Sequence, residues 1–250
     1  MAVLAFCNQK GGSTKTATTI GVAAALSAAD KSVLLVDLDP QANLTTGLGV
    51  EPAEAEFTAN DVFTEQSTID EAVISTTWPQ IDILAGTPAL ANREADAALD
   101  IHYRLRNALG DATRSWDHIL IDTSPFVGKL MANGLAAADR VVIPTDASPD
   151  GARGVDAISE SVVLARRSFN ERLEVAAIVI GRREKNGEQE FREQELRAKY
   201  GPLVAKTVIP KRAAVVDAHG LSVPITTLKG AGAFAVTNAY RDLVLELNLI

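Results

Sequence analysis

Seven short apolar runs punctuate the chain, at residues 2–7 (AVLAFC), 33–36 (VLLV), 81–85 (IDILA), 118–121 (HILI), 140–143 (RVVI), 175–180 (VAAIVI) and 204–209 (VAKTVI). Polar residues, Gly or Pro bound most of them. Apolar runs of this length fit parallel strands buried on both faces. None approaches the ~20 residues a membrane-spanning helix needs. Helix-like spacing fills the gaps at about 16–29, 89–109, 129–138, 152–170, 188–200 and 231–247. This alternation predicts an α/β fold, a doubly wound and mostly parallel sheet with helices on both faces. Residues 45–75 are the least regular and read as loops with short helices. No repeat or linker is visible, so residues 1–250 are expected to form one domain. In sheets of this kind ligands bind at the carboxyl ends of the strands.

Chemistry gathers at those ends. The first run passes into NQKGGSTKT, residues 8–16, and then into an Ala-rich helix. Strand, Gly-rich loop, Lys-Thr and helix make the phosphate cradle of a P-loop. The glycines let backbone approach phosphate oxygens, and amides at the helix start point at the anion. Lys15 is placed to neutralise β- and γ-phosphates, and Thr16 to set its hydroxyl on Mg²⁺. The common pattern G-x-x-x-x-G-K-[ST] is not met, because its glycine positions hold Gln9 and Thr14. The chain reads K-G-G-x-x-K-T instead, with Lys10 opening the loop. The second strand ends in VLLVDLDPQANLTTGLG, residues 33–49, where Asp37 and Asp39 follow the apolar run at alternate positions. The run at 118–121 ends in Asp122, a carboxylate set to hold Mg²⁺ directly or through water.

K-G-G-x-x-K-T is the deviant Walker A motif, and with it the chain resembles the ParA/MinD group of P-loop ATPases, which includes plasmid and chromosome partition ATPases. DLDPQAN is similar to that group's D-x-D-P-Q-[GA]-N segment. The stretch from Asp122 resembles its D-x-P-P-x-x-G-x-L-x-x-N segment: Pro125, Gly128, Leu130 and Asn133 match, and Ser124 replaces one proline. The likeness covers nearly the whole chain and is weakest over 50–100 and 182–200. It implies ATP and Mg²⁺ as ligands. The implied nucleotide cradle runs through Lys10, Gly11, Gly12, Ser13, Thr14, Lys15 and Thr16 to Ala17. Thr16, Asp39 and Asp122 would serve the metal, and Lys10, Lys15 and Asp39 the hydrolysis, with Asp39 orienting the attacking water. For Asp37 a metal-supporting role and a structural one stay open.

The resemblance also implies that Lys10 crosses to the partner's ATP, making a nucleotide-sandwich homodimer. The loop after Asp122 looks like a switch that reads the γ-phosphate. Residues 140–158 resemble the group's I-P strand, loop and Gly-started helix, with divergence from Ser148 to Arg153. Residues 206–225 resemble the end of its last strand, where Pro210 and Lys211 would border the adenine. The implied activity is slow, partner-stimulated ATP hydrolysis by a dimer that binds DNA non-specifically. With a ParB-like adaptor it would segregate or position a plasmid, a chromosome or another cargo in the cytoplasm, on the nucleoid. The chain opens directly on the first strand, so no helix-turn-helix extension and no operator-specific repressor role are expected.

Charge alters the picture of the partners. With 24 Lys plus Arg and 32 Asp plus Glu, the net charge of −8 argues against a general nucleic-acid binder. Residues 1–150 hold 9 basic and 20 acidic side chains, a balance of −11. Residues 151–250 hold 15 and 12, a balance of +3. The surplus concentrates at 166–212, with 12 basic against 7 acidic. Arg166, Arg167, Arg182, Arg183, Lys185, Lys211 and Arg212 are the candidate DNA contacts, and the resemblance favours the five in two loops: Arg182, Arg183 and Lys185 after the 175–180 run, Lys211 and Arg212 after the last one. Ala214 stands where many partition ATPases have a second arginine. A MinD-like positioning ATPase that binds membrane or protein instead of DNA is the alternative. Such proteins end in a basic amphipathic helix, whereas YRDLVLELNLI carries Arg241 against Asp242 and Glu246. A single cysteine, Cys7, excludes a disulfide framework and an iron–sulfur site within one chain. His102, His118 and His219 lie at no metal-ligand spacing, and no G-x-S-x-G is present.

Overall fold

The computed structural model describes residues 1–9 and 14–250. Their strands are β1 (Ala2–Phe6), β2 (Val33–Leu38), β3 (Val73–Ser75), β4 (Ile81–Leu84), β5 (His118–Thr123), β6 (Arg140–Asp146) and β7 (Glu174–Gly181). They form one sheet in the order β3-β4-β2-β5-β1-β6-β7. All pairs are parallel except β3 with β4. The helices are α1 (Lys15–Ser27), α2 (Asn43–Gly47), α3 (Ala59–Phe63), α4 (Ile69–Ala72), α5 (Arg104–Asp111), α6 (Lys129–Ala137), α7 (Pro149–Ser168), α8 (Gly187–Tyr200), α9 (Ala213–Gly220) and α10 (Ala231–Glu246).

The two sheet faces bury different side chains of the same strands, as a period-2 backbone requires. One face sets Val3, Ala5, Leu34, Val36, Ile119 and Ile121 against α3, α5, α6 and α7. The other sets Leu4, Phe6, Val33, Leu35 and Leu120 against α1 and α10. Helix α10 locks onto α1 where Tyr240 lies over Gly21, whose added Cβ would clash with the ring. The Tyr240 hydroxyl donates to the Ala17 carbonyl at 3.0 Å. Among the described residues no helix is long and apolar enough to cross a membrane.

Three expectations need correction. The run 204–209 is not a strand: beside β7 it makes isolated bridges, Ile178 with Val204 and, just beyond it, Arg183 with Pro210, and no continuous ladder. Between them two of its amides turn elsewhere, Lys206 and Thr207 donating to the Glu246 carboxylate at 2.6 and 3.0 Å. The stretch 89–109 is not one helix but 3₁₀ turns at Pro88–Ala95 and Ile101–Tyr103 before α5. Finally, β3 and α9 fall where no element was expected. β3 is a three-residue antiparallel edge strand.

Candidate functional site at the strand ends

The register of the central strands brings the carboxylates together. β2 and β5 run in parallel with Asp37 opposite Asp122, and β1 sets Phe6 opposite Asp122 on the other side. Lys10, Gly11, Gly12 and Ser13 lie outside the described residues. Just before them, Asn8 is fully buried and its Nδ2 donates to the Pro144 carbonyl of β6 at 2.6 Å. Just after them, Thr14 adopts φ 70°, ψ 11°. A β-branched residue pays for that left-handed backbone, which glycine accepts freely. Its hydroxyl is buried, with no hydrogen-bond partner among the described residues.

Helix α1 then starts under the sheet edge. Lys15 is only 7% exposed. Thr16 Oγ1 donates to Asp122 Oδ2 at 2.6 Å, and Thr19 Oγ1 lies 3.3 Å from Asp122 Oδ1. Thr19 was not singled out in the sequence; its spacing, one turn after Lys15 on the same helix face, was the available signal. Ala17, placed in the cradle by resemblance, brings no hydroxyl, and its carbonyl is engaged by Tyr240.

Asp37 and Asp39 divide the work of the second strand end. Asp37 is fully buried, and both of its oxygens are used. Oδ1 accepts from the Asp39 amide at 3.0 Å; Oδ2 accepts from the Thr45 amide at 3.0 Å and its hydroxyl at 2.8 Å. Gly86 backs this carboxylate so closely that an added Cβ would lie 2.7 Å from its Cγ. Asp37 therefore shapes the loop that carries Asp39. Asp39 is 8% exposed, and its Oδ1 accepts from the Gln41 amide at 2.9 Å.

Burial dominates the electrostatics. It pushes the Asp37 carboxyl up to about 6, against the opposing pull of the Thr45 and Asp39 hydrogen bonds. It pushes Asp122 up to about 7, helped by the neighbouring Asp37 and opposed by Thr16 and Lys15. Two carboxylates side by side in a dry site disfavour each other's charge. Hydroxyl and carboxylate oxygens are the donor set of a hard divalent cation, so the residues present fit Mg²⁺.

The loop after β5 is exposed at Phe126 and Val127, 64% and 50%. Behind it, Glu94 accepts from the amides of Lys129 at 2.6 Å and Leu130 at 3.2 Å, the opening of α6. Gly128 leaves room for that carboxylate, since an added Cβ would collide with it. Asn133 ties the same helix to residues 101–105, donating to the Ile101 carbonyl at 2.6 Å and accepting from the Leu105 amide at 3.2 Å. The glycine and asparagine of this motif thus share one task. Glu94 had no motif to mark it.

Of the candidate DNA contacts, Arg166 and Arg167 end α7 before β7 begins, while the five in the two loops after β7 are brought together but not all left free. The Arg183–Pro210 bridge and the Lys211 amide donating to the Arg183 carbonyl at 3.0 Å join the two loops. Arg183 Nε sits 3.0 Å from Glu193 Oε2, and Lys211 Nζ 2.5 Å from Glu184 Oε1. Arg212 donates to the Lys211 carbonyl at 2.7 Å, Arg182 has φ 52°, and Lys185 is exposed. Pro210 and Lys211 therefore sit beside β7 at its carboxyl end.

A family model described as an AAA domain matches residues 1–175. The chromosome partitioning protein ParA of Caulobacter vibrioides NA1000 is 32% identical over 252 residues, 98% of this chain and 94% of its own. The sporulation initiation inhibitor protein Soj of Bacillus subtilis 168 is also 32% identical over 252 residues, covering 98% of this chain and 97% of its own. A solved structure of cobyrinic acid a,c-diamide synthase from Mycobacterium smegmatis, with bound ADP and magnesium, is 27% identical. It superposes with a TM-score of 0.81 over 89% of this chain and 92% of its own.

Proposed function

The chain belongs to the ParA/Soj family of P-loop ATPases, and from that membership we propose that it is an Mg²⁺-dependent, ATP-hydrolysing partition or positioning switch. The observation that carries the reading is the meeting of Thr16 with Asp122 at 2.6 Å beneath a buried Lys15, one strand away from Asp39. That cluster has the oxygens for a divalent cation and the cation for a triphosphate. Identity of 32% over almost the full length of ParA and Soj favours partition over the synthase activity of the M. smegmatis relative.

Each residue then has a part. Lys10 through Thr16 would hold the phosphates. Thr16 and Asp122 would hold Mg²⁺, directly or through water. Bound Mg²⁺ supplies positive charge that offsets the crowded carboxylates and the phosphates. Asp39, kept in place by the Asp37 hydrogen bond to its amide, would orient the attacking water. Pro210 and Lys211 would border the base. Lys10 would reach the nucleotide of a second copy, so that ATP joins two protomers.

DNA binding by the dimer belongs to the same reading, with Arg182, Arg183, Lys185, Lys211 and Arg212 as its residues and a ParB-like adaptor as the partner that speeds hydrolysis. Two of these cations already face carboxylates, so each protomer offers a weak surface that two copies would double. The test is a gel shift on linear DNA at low salt. Retention with ATP and Mg²⁺, weak with ADP and falling steeply as salt rises, is the expected result. Binding indifferent to nucleotide, or none, overturns the DNA part and leaves a nucleotide-switched protein binder of the MinD-like kind.

A further inference from the structure

A second concentration of charge lies at the other end of the sheet. Helix α7 runs back from the carboxyl end of β6 and delivers Arg166 and Arg167 in its last turn. Arg172 follows just before β7, and Arg106 reaches in from α5. With Phe169 and Asn170 they line an open groove of about 570 Å³. Its frame is fixed: Asn170 Nδ2 donates to the carbonyls of Leu135 and Ala138 at 2.8 Å each, and Arg106 Nη1 lies 3.4 Å from the Phe169 carbonyl.

Among the described residues, none of the four arginines has a carboxylate partner at ion-pair distance. Glu171, which also lines the groove, does not reach them at that distance. A helix C-terminus favours nearby cations, but that accounts for neither Arg106, on another helix, nor the shared groove. Beside it on α7, Val163 and Leu164 are 49% and 64% exposed. At spacings of three and four residues they share a helix face with Arg166, Arg167 and Ser168.

We propose that this groove and the adjoining apolar step dock an acidic peptide segment of a partner protein, one that carries apolar anchor residues among its carboxylates. Arginine's planar fork matches carboxylate geometry in pairs. A phosphodiester backbone would use the guanidiniums equally well, but it has no use for Val163 and Leu164, and this apolar step decides for the peptide. The net charge of −8 disfavours acidic chains over much of the molecule, so the cationic groove raises their encounter with this place. The proposal takes Arg166 and Arg167 out of the DNA reading and is independent of the nucleotide one.

Fluorescence anisotropy tests it with a labelled synthetic peptide of about 16 residues, Glu and Asp with Leu at every third or fourth position. The wild-type chain is expected to bind it at low salt. Arg166→Glu with Arg167→Glu should weaken binding at least ~10-fold, and Leu164→Ser several-fold without altering charge. A control double reversal on α10 and its approach, Lys229→Glu with Arg241→Glu, shifts the net charge equally and should stay within about twofold of wild type. Circular dichroism and ATP affinity of every variant establish that each is folded. Four results overturn the proposal: no binding by the wild type, equal loss in the control, no effect of Leu164→Ser, or loss of duplex DNA retention in the groove variant with peptide binding intact.

Discussion

The two ends of the sheet handle charge in opposite ways. At the carboxyl end, Asp37 and Asp122 are fully buried and Asp39 and Lys15 nearly so, within hydrogen bonds to Thr16, Thr45 and backbone amides. At the amino end, Arg106, Arg166, Arg167 and Arg172 line an open groove with no carboxylate at ion-pair distance among the described residues. The first arrangement suits a small, highly charged ligand, because low dielectric magnifies every fixed charge. The second suits a large partner met through solvent, where exposed charge steers encounter and yields to salt. Burial, more than the sign of the charge, separates a site for chemistry from a surface for docking.

The comparison can be broken most severely at Lys15. Lys15→Ala should reduce ATP affinity by two orders of magnitude or more in equilibrium binding, since a buried cation facing phosphates is worth ~3 kcal/mol or more. Unchanged affinity would remove the carboxyl end from nucleotide chemistry. Next comes Asp39→Ala, which should keep ATP bound and lower turnover at least ~100-fold, the scale of a lost general base. Normal phosphate release in that variant would refute its water-orienting role.

A smaller effect tests burial directly. Asp37 and Asp122 titrate near 6 and 7 when folded and near 3.8 when unfolded. The native state thus holds more protons between these values, and stability falls as pH rises from about 4 to about 7. Nucleotide-free protein without Mg²⁺ should therefore melt higher at pH 6 than at pH 8. Asp122→Asn should flatten the slope, and an unaltered slope would show that these carboxyls do not couple to folding. The smallest effect belongs to Thr14. Left-handed backbone at a non-glycine residue costs ~1–3 kcal/mol, of which glycine's own entropy cost returns about 1. Thr14→Gly should raise the unfolding free energy by ~1 kcal/mol in urea; a fall would mean the Thr14 side chain earns more from its contact with Gly181 than its backbone loses.

Much of this molecule was legible in its sequence because burial on both faces writes strands as unbroken apolar runs. Six of the seven runs are strands, and Asp37, Asp39, Asp122 and Thr16 converge as their places at strand ends required. The run VAKTVI misled because composition does not say where amides are satisfied; Glu246, some forty residues on, takes two of them. Residues 89–109 misled because their apolar spacing survives in short 3₁₀ turns anchored by Asn133. The basic loops were found, but no local pattern could show Glu193 and Glu184 already facing Arg183 and Lys211. The arginine groove was only half visible, since Arg106 joins it from a distant helix.

The cover over β7 has a consequence for self-association. An outer parallel strand with bare amides and carbonyls would recruit any extended chain. Here Ala205 donates to the Ile178 carbonyl and Ile209 to the Ile180 carbonyl, each at 2.9 Å, while Arg183 donates to the Ile209 carbonyl at 3.1 Å. Those contacts fill the edge without adding a strand that could itself be extended. An incoming strand on that side would first have to displace this segment, which Glu246 holds through residues 206 and 207.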